Sequence, residues 1–142
     1  MILASCGPGV PSPSGSTKIL RFTQTIPLPN VEGRIDHISI DLKGQRMFIA
    51  ALGNNSVEVL DLNAGKLIHS ISDLSEPQGL FFIPERNQVY VTNGGNGLCE
   101  IFDGSSFAPI HNVELSGDAD NIRYDSNTAL MIAGYGIARE AF

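Results

Sequence analysis

The chain is poor in the features that usually announce a function. Of its 142 residues only 9 are Lys or Arg, against 15 Asp or Glu, giving a formal net charge of −6. The bases stand singly along the sequence. A groove that tracks nucleic-acid phosphates needs them clustered, so nucleic acid is not an expected partner. No apolar run approaches the ~20 residues of a membrane-spanning helix, so no transmembrane segment is expected. The two cysteines, Cys6 and Cys99, stand in unrelated contexts, which argues against a disulfide framework. Hydrophobic residues still make up 42% of the chain, enough for one domain with a real core.

Room for helices is also lacking. Turn signals recur every eight to twelve residues or so, too often for an amphipathic helix. What fills the space is a repeat. The stretch HISIDLKGQRMFIAALGNNSVEVLD (37–61) aligns without a gap on GLFFIPERNQVYVTNGGNGLCEIFD (79–103), an offset of 42. A third copy opens at DADNIRYDSNTALMIAGYG (118–136) and reads as one residue shorter, with ALMIAGYG set against QVYVTNGG.

Each period divides into four strands, at 36–41, 46–52, 56–62 and 66–71, then at 78–83, 88–93, 98–103 and 108–114. The breaks LKGQ, LGNN, NAG, PERN, GGNG and DGSS supply the Gly, Asn and Asp that tolerate positive φ. Stretches such as MFIAAL and LFFI are apolar on both faces, as in a sheet sandwiched between two others. The expected class is therefore all-β, and four-stranded antiparallel sheets repeated at this period are the mark of β-propeller blades. Blade 1 covers about 36–71, blade 2 about 78–114, and a partial blade 3 about 119–136.

The stretch VYVTNGGNG contains the tetrapeptide that names the YVTN-repeat β-propellers, and RMFIAALGNNSVEVLDLNAGK is similar to it. The resemblance covers about residues 19–136. It implies a bacterial, often exported protein whose relatives commonly close seven-bladed rings. In that family a leading strand, here KILRFTQTIPLP (18–29), completes the last blade. About two and a half blades cannot close such a ring, since propellers use about four to eight. The chain is accordingly expected to be a truncated part of a larger propeller. The other reading is a unit that forms a homo-oligomer through its exposed blade faces.

Residues 1–17 form a separate tail, rich in Gly, Pro and Ser after Cys6, with the composition of a linker. LASC (3–6) resembles the lipobox of bacterial lipoproteins, which implies a lipid anchor on Cys6 and a place in the periplasm or cell envelope. Only five residues precede Cys6, fewer than the charged start and apolar stretch of a signal peptide require. The alternative is an unstructured tail.

Candidate site residues follow from the repeat. The innermost strand of each blade begins at the mouth of the channel, where Asp36, His37, Gln78, Asp120 and Asn121 occupy matching positions. A carboxylate, an imidazole and an amide there can orient a small polar ligand, or they can simply cap turns. His69 and His111 match each other in outermost strands and read as structural or surface residues. GDADN lacks the Gly and terminal Glu of a calcium loop, and GGNG lacks the Lys and helix of a phosphate loop. Ser75 and Ser105 have no His–Asp partners in pattern. Cys99 aligns with Val57 and reads as an inert core residue.

Two functions remain open. One is a non-catalytic, exported binding scaffold without cofactor, recognising a protein or a small polar ligand. The other is a lactonase-like hydrolase, in which a divalent cation at the central channel activates water.

Overall fold

The computed structural model describes residues 22–136. Strands β1 (Ile38–Asp41), β2 (Arg46–Ala51), β3 (Ser56–Asp61) and β4 (Lys66–Ile71) form a first antiparallel sheet in chain order. Strands β5 (Pro77–Ile83), β6 (Gln88–Asn93), β7 (Leu98–Asp103) and β8 (Pro109–Glu114) form a second one the same way. A third sheet holds β9 (Ala119–Asp125) and β10 (Leu130–Tyr135). The helical content of the described residues is a single 3-10 turn at Leu52–Asn54.

The 42-residue step governs detail far below the level of strands. Ile38 pairs with Ile49, Leu80 with Val91, and Ile122 with Ala133. Gln45, Asn87 and Ala129 close the three inner hairpins with φ of 51°, 50° and 56°. Asn55 and Gly97 share positive φ, as do Gly65 and Phe107. Register shifts follow Val59 and Ile101 alike. Asp61 and Asp103 each accept two turn N–H bonds through Oδ1. Repeated turn chemistry fixes repeated hairpins.

The third copy is therefore not one residue shorter. Leu130 pairs with Asp125 as Gln88 pairs with Ile83, in step with the first two copies. A one-residue slip turns every side chain to the other face. Leu-Met-Ile-Ala is apolar at every position, so its pattern could not reveal which set points inward. Met131 faces the core, while Leu130 and Ile132 face out.

Each sheet has an N-side face, toward the preceding sheet, and a C-side face, toward the following one. The first core lies between sheets one and two. Phe48, Ala50, Val57, Val59 and Ile71 on the C-side of sheet one pack on Leu80, Phe82, Val89, Val91 and Phe102 on the N-side of sheet two. Phe48 and Phe82 stack with centroids 5.3 Å apart, an arrangement that adds about 0.5–1.5 kcal/mol to the area buried. Arg46 seals this contact at its edge. Its guanidinium lies 5.4 and 5.5 Å from the two rings, binds Asp41 Oδ2 through Nε and Nη2, and reaches the Gly104 carbonyl of sheet two. Burial alone would raise the Asp41 carboxyl; the Gly44 N–H and Arg46 outweigh it and hold it below the usual carboxylate range.

A second core joins Ile83, Tyr90 and Cys99 of sheet two to Ile122 of sheet three, with Phe81, Ile101, Tyr124 and Met131 packed against it. It is narrower, because β9 and β10 cover only the inner half of sheet two. Ile71 is 5% exposed, whereas its equivalent Val113 is 45% exposed. Ile101, the equivalent of the fully buried Val59, is half-buried for the same reason.

Part of the expected leading strand, 22–29, belongs to no sheet; residues 18–21 lie outside the described residues. Gln24 Nε2 donates to the Leu62 carbonyl, and the Glu32 N–H to Asn54 Oδ1. Those anchors sit beyond opposite ends of β3 and are equally spaced on both stretches, so the segment runs antiparallel alongside β3. Glu58 and Leu60 are buried on the face of β3 that points away from the first core. Among the described residues no helix is long and apolar enough to cross a membrane.

Ala129 carries a Cβ in the left-handed region, where its equivalent Asn87 is better suited. Ala129→Gly is expected to stabilise the protein by about 0.5–1 kcal/mol in urea unfolding. A loss of stability would show that the third hairpin does not share the turn of the first two.

Candidate functional site

The expected rim residues sit where the three inner strands begin. Asp36 and His37 precede β1, and their backbone continues the ladder to Ala50: Asp36 N–H donates to Ala50 O, and Ala50 N–H to His37 O, at 2.8 and 2.9 Å. Gln78 lies at the start of β5, and Asp120 and Asn121 at the start of β9. Strands β1, β5 and β9 are neighbours in the stack, so the positions share one end of it.

The side chains are held locally. Asp36 Oδ2 accepts from the Arg34 guanidinium, and Asp36 Oδ1 stands 3.1 Å from His37 Nδ1. The angle at that second contact is wrong for a hydrogen bond, and Nδ1 is shielded from solvent with no partner among the described residues. The Gln78 amide lies against Gly94, with the Asp118 carboxylate nearby. Asn121 Oδ1 accepts from Arg123, and Asp120 is exposed. Among the described residues no hydrogen bond joins the rim side chains of one sheet to those of another.

Gly79 explains the gap. It is the equivalent of His37 and Asn121, and a Cβ there would collide with the Asp120 carbonyl and the Thr92 hydroxyl. Those two atoms are themselves bonded, Thr92 Oγ1 donating to Asp120 O at 3.0 Å. Close approach of β9 to β5 thus removes a side chain from the middle of the rim. No group of three or more His, Cys, Asp or Glu able to hold a metal occurs among the described residues. Cys6 lies outside the described residues.

The more developed clefts lie away from the rim. One, of about 420 Å³, opens between β4 and the β7–β8 hairpin, lined by His69, Ser70, Glu100, Phe102 and Phe107 among others. His69 stacks on Phe107 at 4.5 Å, the structural role expected of it; His111 is exposed on β8. Burial pushes the Glu100 carboxyl above its usual range, partly offset by the bond from Asn93 Nδ2 at 2.8 Å. Sequence reasoning did not find Glu100; its one signal was the repetition of a lone Glu at 58 and 100 within apolar strands. At Glu58 two serine hydroxyls, Ser56 and Ser70, donate to the buried carboxylate instead. Cys99 is buried, and burial first, then the charge of Glu100, pushes its thiol up to about 11, so it is no nucleophile at neutral pH.

No family model matches the chain, and no curated protein matches it. Among solved structures it is similar to hydrazine synthase from Kuenenia stuttgartiensis, with a TM-score of 0.66 at 15% sequence identity. The likeness covers 72% of this chain and 30% of that one. At such identity it speaks for the arrangement of sheets and carries no activity.

A carboxyl whose folded pKa is raised binds its proton more tightly in the native state. Its effect is a stability that declines as pH rises from the usual carboxylate range through the raised value. Glu100→Gln keeps an acceptor for Asn93 and removes the titration. The melting temperature of the variant relative to the unaltered protein should therefore be higher at pH 7 than at pH 4. The gain is small because Glu100 is half-exposed. A difference that is constant with pH would contradict the assignment.

Proposed function

We propose that the chain is a part of a β-propeller related to the YVTN-repeat proteins, about two and a half four-stranded blades, and that it acts as a non-catalytic binding scaffold. The observation that carries this reading is the 42-residue step, which extends to strand pairing, turn φ and register shifts. A frame built that regularly holds its strand starts in fixed relation, and repeat folds commonly use such rims for binding. The likeness to a solved structure supports the stacking of the sheets.

The ligand contact is assigned to Asp36 and His37, with Gln78, Asp120 and Asn121 alongside. His37 offers a polar ligand the exposed part of its imidazole, beside the Asp36 carboxylate. Ligand hydroxyls or amines fit this pair, whether carried by a small polar molecule or a protein loop. The lipid anchor at Cys6 and a place in the periplasm or cell envelope belong to the same reading, resting on LASC and the linker that follows it.

Amide NMR spectra recorded during titration with neutral sugars, sugar acids and short charged peptides test the assignment. Shifts should concentrate at Asp36–Ile38, Gln78 and Asp120–Asn121, and His37→Ala should weaken the response roughly tenfold. Shifts confined to the Glu100 cleft, or none at millimolar ligand, would contradict it. Lactone hydrolysis that requires an added divalent cation and is lost in Asp36→Asn would replace the scaffold by a hydrolase.

A further inference from the structure

The strand pair β3–β4 and its repeat β7–β8 treat one carboxylate in opposite ways. Glu58 on β3 is 1% exposed, and the Ser56 and Ser70 hydroxyls both donate to its Oε1. One step of 42 residues on, Glu100 is half-exposed. Leu98 and Asn112 stand in the places of the two serines, and among the described residues neither side chain bonds Glu100. Asn93 Nδ2 reaches Oε2, so Oε1 has no donor among the described residues. The repeat sets the same carboxylate twice, and satisfies it from within only once.

Space opens where Glu100 differs. The cleft of about 420 Å³ between sheets one and two has Glu100 and Phe102 of β7 on one wall. His69 of β4 lines it from sheet one, stacked on Phe107, and Asp73 lies on the loop that follows β4. No Lys or Arg lines the cleft among the described residues. Both walls belong to complete four-stranded sheets. Elsewhere between the same two sheets, Arg46 shows what suits such surroundings. Its guanidinium lies 5.4 and 5.5 Å from the rings of Phe48 and Phe82 and binds the Asp41 carboxylate. A guanidinium is flat, stacks on aromatic faces and meets a carboxylate through paired N–H groups. The cleft offers the same parts, aromatic faces beside a carboxylate, with no cation of its own along its lining.

We infer that this cleft binds a guanidinium on a short aliphatic stem, the head group donating to Glu100 and the stem lying along Phe107 and Phe102. The volume falls in the range of small-ligand sites. Burial raises the Glu100 carboxyl, and a cation beside it restores the charged form that burial disfavours. The net charge of −6 draws cations to the surface as a whole. This site is separate from the rim, and neither depends on the other.

Amide NMR spectra recorded during titration with three probes read the site. Propylguanidinium carries the chemistry as a free small molecule, and an end-blocked Gly-Arg-Gly peptide carries it as a side chain. The matching citrulline peptide keeps the shape without the charge. Both cations should shift the amides of His69–Leu74, Glu100 and Phe107, and the citrulline peptide should leave them in place. Tighter binding of the peptide assigns the cleft to an arginine of a protein partner; tighter binding of propylguanidinium assigns it to a small molecule. Glu100→Gln should weaken both cations roughly tenfold. The citrulline comparison uses the unaltered chain, so it stands whether or not the variant folds. No response at the cleft, an equal response to citrulline, or an unchanged response in Glu100→Gln would overturn the inference. So would cations that shift the rim amides alone.

Discussion

The inner strands of these sheets carry apolar residues on both faces, and the Phe48–Phe82 contact shows how two such faces cover each other. Sheet one offers Phe48, Val57 and Val59; sheet two answers with Phe82, Val89 and Val91. The hydrophobic effect supplies the drive, and the fixed 42-residue step ensures that the same positions meet at the next contact. Arg46 closes the edge of the first core with a charge that would be costly there without Asp41 and the Gly104 carbonyl. The second core repeats the plan over half the width, which is why Val113 and Ile101 remain open to solvent.

Placement of the rim is a by-product of this stacking. The inner strands lie side by side because their sheets stack, so residues just before or at their starts gather at one end. The same stacking limits what the rim can become. Bringing β9 against β5 requires Gly79, and with it the middle position loses its side chain. Asp36 and His37 are left as a pair on the first sheet, Gln78 turns to Gly94, and Asn121 is taken by Arg123.

Most strand positions could be read from the sequence because turn residues punctuate it: KG, NN, NAG, RN and GNG sit at backbone positions that need positive φ or an Asx-type bond. Register in β10 could not. Leu130 to Ala133 is apolar throughout, and only the partner sheet decides which face is inside. The leading segment misled for a related reason, since its apolar residues would suit a strand as well as a strap along β3. At the rim, residue types and positions were legible, but contacts were not. Arg34, Asp118 and Gly94 became neighbours through hairpin closure, and the raised carboxyl of Glu100 depends on a cleft between sheets that no local pattern announces.

The recurrence of one register in all three sheets is tested most directly by cross-strand nuclear Overhauser effects. Backbone contacts should link Ile38 with Ile49, Leu80 with Val91, and Ile122 with Ala133. Contacts from Ile122 to Gly134 or Ile132 in place of Ala133 would mean that the third sheet has left the common step.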